Sequence, residues 1–177
     1  MEKPMRESHY RQRYRVLQAS IEEMDRRCDG AIPSRVPGLW EAFEDDVDLV
    51  GALQMRWYTR LSGRIEVQQL RLPDHDQAVV SAWRLTQAEL PGVRMVIDRL
   101  IESPTSPRMG LMLAKARRNE HIMVALMAGL TWFHDDRAAA LGFDLERAAR
   151  RDPVAQRRDS ESRRRSLAAR LREMLAA

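Results

Sequence analysis

Cysteine occurs once in this chain, at Cys28. A lone thiol excludes an intramolecular disulfide and fits a reducing compartment. Cys28 falls on an apolar seam with no histidine close in sequence, so it reads as a small buried hydrophobe rather than a nucleophile. The eight glycines are scattered singly and form no G-x-G-x-x-G, G-x-S-x-G or G-x-x-x-x-G-K-[ST] pattern. No phosphate-cradling loop or nucleophile elbow is therefore visible. Aromatics make up 6% of the residues, and β-branched residues do not alternate in runs, which argues against a sheet. The longest apolar run, residues 122–133, falls short of the about 20 residues a bilayer span needs and reads as a buried core helix. The first residues lack the apolar core of a signal peptide, and a soluble cytoplasmic protein with no membrane role is expected.

Lysine is almost absent too: Lys3 and Lys115 are the only two among 30 basic residues. Arginine in their place suits bidentate recognition of phosphate or carboxylate, and it equally suits plain codon preference.

What the chain has in quantity is charge, 32% of residues, and helical periodicity. A length of 177 residues suits one domain able to bury a real core. A first helix is expected over residues 8–29. In it Tyr10, Tyr14, Leu17, Ile21, Met24 and Cys28 repeat at alternating four- and three-residue spacing, a narrow seam suited to one partner helix, in this chain or in a twin. After Pro33 and Pro37, a long bent helix is expected from Trp40 to about Leu70, with Trp40, Phe43, Val47, Val50 and Trp57 inward and Gly63 as a weak point. Asp74 caps a third helix over residues 75–90, and Pro91 opens a fourth. Ser106 and Pro107 start a fifth, reaching about Leu130. Its Met109, Met112, Met123 and Met127 read as core filling or as an adaptable groove for an apolar ligand or a partner helix. A shorter helix ends near Leu141, Gly142 interrupts, and helix resumes to Arg151.

Catalytic sets do not assemble. The clusters Asp74-His75-Asp76 and His134-Asp135-Asp136 hold donors suited to a metal, but each stands where a helix begins and is read as capping. Glu120 and His121 are adjacent, so they project in different directions from a helix. The stretch 85–90 looks like the opening of a DNA-reading helix-turn-helix, and Pro91-Gly92 cuts it off.

Charge is segregated. Residues 147–172 hold ten arginines against three acids, a net of +7 in a chain of +4, so the remainder is −3. Residues 156–166 carry no apolar side chain, whereas Leu167, Leu171 and Met174 form a short apolar stripe. The C-terminal piece thus reads as a charged tether with a docking end.

The expectation is an all-α, single-domain helical bundle of about six or seven helices over residues 1–152, with an Arg-rich helical arm over residues 153–177. The leading function is non-catalytic: an interaction or regulatory protein that binds a protein partner, or itself as a homodimer, through Tyr10, Tyr14, Leu17, Ile21 and Met24. The alternative is a nucleic-acid binder whose Arg157, Arg158, Arg163, Arg164, Arg165, Arg170 and Arg172 contact the anion. A third is a helical enzyme or ligand carrier with a pocket between Trp83, Trp132 and the methionine helix. No catalytic residue, cofactor or metal ligand is assigned.

Overall fold

The computed structural model describes residues 3–151, with side chains from Tyr10 onward. Within them the chain is all-α: seven helices and no strand. In order these are α1 (Lys3–Arg27), α2 (Leu39–Ala42), α3 (Asp46–Gln69), α4 (His75–Glu89), α5 (Pro91–Glu102), α6 (Pro107–Met127) and α7 (Asp136–Arg150). The arm arginines from Arg157 to Arg172 lie outside the described residues, as does the tether reading built on them.

Caps decide where these helices start. Asp45, Asp74, Ser106 and Asp135 each accept a backbone N–H from three residues ahead, at Asp48, Gln77, Met109 and Ala138. The cap at Asp45 corrects the long helix expected from Trp40. Phe43 turns extended (φ −129°, ψ 132°), so the chain breaks between α2 and α3. The Asp48 carboxylate also accepts from the Glu44 N–H and from Arg13, whose guanidinium stacks 4.2 Å over the Phe43 ring. Arg13 thereby fastens α1 to the α2–α3 turn. Trp40, expected inward, is left 48% exposed, and Phe43 takes the core position. Gly63 does not interrupt α3, which runs through it.

Helix α6 stops at Met127 rather than Leu130. Gly129 takes a left-handed φ of 72°. Its N–H bonds the Leu126 carbonyl while the Leu130 N–H bonds that of Ala125, closing a Schellman motif. Cys28 corrects a second expectation. It is exposed and itself adopts the left-handed backbone (φ 48°) that ends α1, two residues before Gly30.

Two glycines set the closest helix crossings. A Cβ on Gly92 would stand 2.1 Å from the Met24 carbonyl carbon, so α1 lies directly on the start of α5. The Gly92 N–H also donates to Asp25 there. A Cβ on Gly142 would stand 1.9 Å from the His121 carbonyl oxygen. That contact explains why α7 continues through Gly142 instead of breaking. The glycine serves backbone-to-backbone packing on α6. Arg84 of α4 then caps the far end of α7 by donating to the carbonyls of Ala148, Ala149 and Arg151. The core is one continuous cluster centred on Trp57, Leu61, Trp83, Val93, Ile97 and Leu113.

Candidate functional site

The most charged part of the interior lies where α3, α4, α5, α6 and α7 meet. Arg94 of α5 is 2% exposed. Its guanidinium packs 4.9 Å from the Trp57 ring centre and 5.6 Å from that of Trp83, and the two indoles meet edge to face. Arg94 donates to Asp98 at 2.6 and 2.9 Å and to Glu120 at 3.4 Å, and its Nη2 lies 3.6 Å from Glu146. The Trp57 indole N–H donates to Glu120. Arg150 of α7 holds both remaining acids, Asp98 at 2.7 and 2.9 Å and Glu146 at 2.7 Å. His121 Nε2 sits 2.5 Å from Glu146.

Glu120 and His121 do point apart, as their adjacency implies, yet both end in this one cluster. Glu120 reaches Trp57 and Arg94, and His121 reaches Glu146 from the other side. Sequence reading missed the cluster because a buried arginine has no periodic signature. The available signals were two i,i+4 ion pairs, Arg94–Asp98 and Glu146–Arg150.

Burial alone would push the Glu146 carboxyl up. The His121 hydrogen bond, Arg94 and Arg150 outweigh it and hold the carboxyl at about 2. Asp98 is likewise lowered, by Arg150 and Arg94 acting against burial. A carboxyl lowered on folding contributes stability that is complete above its unfolded value of 4.5 and lost as the pH falls toward 2. For Glu146 that span corresponds to about 3 kcal/mol. Asp25 opposes this, since burial raises its carboxyl above the ordinary value. Urea melts are therefore expected to show stability flat from pH 7 to about 5 and falling steeply below. Glu146→Gln should flatten that acid limb, and an unchanged limb would contradict the assignment.

The cluster ties five helices together, and its histidine reaches a surface cleft. His121 borders a cleft of about 380 Å³ between α5, α6 and α7, with Arg117, Arg118 and Phe143 on its wall. Among the described residues no hydroxyl, thiol or carboxylate lines that cleft. Among the described residues no group of three or more histidines, cysteines or carboxylates could hold a metal. No described helix is long and apolar enough to cross a membrane.

The open site is elsewhere, in a groove of about 610 Å³ between α3 and α6. From α3 come Gly51, Gln54, Met55 and Tyr58, one face at helical spacing. From α6 come Met112, Ala116, Asn119, Met123 and Leu126. Gly51 and Ala116 supply too little side chain to fill the space between the helices. Lys115, Arg118 and His134 border it. Gln54 is 7% exposed, yet its Nε2 has no hydrogen-bond partner among the described residues. Met55 is 65% exposed, and Trp132 and Phe133, just ahead of His134, are 84% and 70% exposed.

The methionines expected to act together therefore divide. Met109 is fully buried core, while Met112 and Met123 line the groove. The pocket expected between Trp83 and Trp132 does not form: Trp83 is interior and Trp132 stands in solvent. On α1, Ile21 and Met24 are buried within the chain, Leu17 is half-buried, and Tyr10 and Tyr14 remain exposed. Arg150 engages the bundle through Asp98 of α5, whereas, among the described residues, Arg147 pairs only within α7, with the exposed Asp144. Comparison with protein-family models, with curated proteins and with solved structures finds no match.

Proposed function

We propose that this chain is a non-catalytic interaction protein whose α3–α6 groove receives a helix from a protein partner. The observation that carries this reading is the floor of the groove. Methionine side chains with Gly51 and Ala116 line an open channel between two helices, and Gln54, whose buried Nε2 has no hydrogen-bond partner among the described residues, is one of its lining residues. A buried donor left unpaired costs about 1–3 kcal/mol, so the α3–α6 seam carries a cost beside the channel. Methionine adapts its shape to apolar partners, as helix-receiving grooves require. The ionic cluster supports the same reading by holding α3 and α6 in register through Trp57 and Glu120.

The test uses an amphipathic peptide of about 16 residues with leucines at i, i+3, i+4 and i+7 spacing and a neutral glutamine flank. It is expected to bind the chain, and Met55→Glu is expected to weaken binding at least about tenfold while leaving the urea midpoint unchanged, because the position is exposed. Equal binding to both proteins would contradict the groove.

The arm supports a second, separable reading, in which Arg157, Arg158, Arg163, Arg164, Arg165, Arg170 and Arg172 contact an anionic partner such as nucleic acid. Its support is the charge segregation in the sequence.

A further inference from the structure

We infer that the helix received by the α3–α6 groove is acidic: an amphipathic segment whose apolar face is flanked by glutamates or aspartates. This rests on the helix-receiving role proposed above and specifies the partner's chemistry. The groove's charge is one-sided. Among the described residues no carboxylate lines it, while Lys115, Arg118 and His134 do. Lys115 is exposed and has no ion-pair partner among the described residues. Arg118 pairs with Asp136, but that carboxylate is 96% exposed, so an incoming acid competes with a weak surface contact.

The apolar surface fits one helix in length. Residues 112–126 of α6 cover about 21 Å at the helical rise of 1.5 Å per residue, or about four turns. Met55 on its wall is exposed, and Trp132 and Phe133, next to His134 in sequence, are exposed too. The chain's own C-terminal stripe is a poor occupant, because residues 163–174 carry five arginines against one acid, Glu173, to set against Lys115 and Arg118.

The experiment compares three fluorescent peptides of about 16 residues that share one leucine face and differ in their flanks, glutamate, glutamine or lysine. Anisotropy titrations use the full chain at low salt. The glutamate peptide is expected to bind about tenfold more tightly than the lysine peptide, with the gap closing in high salt. Lys115→Glu is expected to abolish or reverse the preference. Equal or tighter binding of the lysine peptide, with Met55→Glu still weakening all three, overturns the acidic partner and leaves the groove standing. No effect of Met55→Glu on any peptide removes the groove itself. Leu171→Glu in the full chain should change nothing. A rise in affinity for all three peptides would mean that the chain's own stripe fills the groove, and would overturn the inference.

Discussion

Arg94→Leu is expected to lower stability by about 3–5 kcal/mol, the largest single-residue effect in the chain. The reason is what the substitution leaves behind. Arg94 is 2% exposed and stands between Asp98, Glu120 and Glu146. Arg150 still covers Asp98 and Glu146, but Glu120, 3% exposed, keeps only the Trp57 indole N–H. An uncompensated buried carboxylate is costly, and the arginine's stacking on two indoles is lost with it. Arg94→Leu combined with Glu120→Gln should recover part of the loss, because the charge without a counter-ion is then gone. Equilibrium urea unfolding measures both. A loss below about 1 kcal/mol for the single variant would show that the cluster does not bind the five helices together.

Gly142→Ala is expected to cost about 3 kcal/mol by overpacking, although alanine is the better helix former by about 1 kcal/mol. The added carbon would stand 1.9 Å from the His121 carbonyl oxygen, and backbone does not yield as a side chain does. Relief requires α7 to lift from α6, which also draws Glu146 away from His121. Gly63→Ala is the internal control. Gly63 is an exposed position inside α3 with nothing within 4 Å of the new carbon, so the same chemical change should stabilise by about 0.5–1 kcal/mol. Thermal melts of both variants give opposite signs if the crossing is as close as described. Two shifts of the same sign would contradict it.

Those two substitutions also separate what was legible in the sequence from what was not. Helix existence follows from local signals, and Asp74, Pro91, Ser106 and Pro107 mark starts the structure shares. Breaks were harder, because glycine has several uses. Gly142 reads in sequence as an interruption and acts as a packing surface, while the exposed Gly129 is the true stop of α6. The choice between those roles depends on a neighbouring helix, which no local pattern contains. The break before α3 lies in the acids at 44–48, where Asp45 caps the Asp48 N–H and Asp48 accepts from the Glu44 N–H.

The candidate site was partly readable. Methionines on α6 suggested either core or groove, and the structure assigns both uses to different members. Gln54, Tyr58 and Lys115 carried no signal, since each takes its meaning from the α3–α6 pairing across more than fifty residues of sequence. The buried arginine cluster ran against every burial preference, and its i,i+4 pairs looked like ordinary surface pairs.

Methionine itself provides the most direct test of the groove. With the ten methionine methyl groups labelled for NMR, the full chain is titrated with the glutamate-flanked peptide. Met55, Met112 and Met123, which line the groove, should shift together and saturate along one binding curve. Met24 and Met109, sealed in the core, and Met95, exposed on α5, should stay in place. Shifts confined to Met95, or no response from the three groove methyls at peptide saturation, would contradict the account.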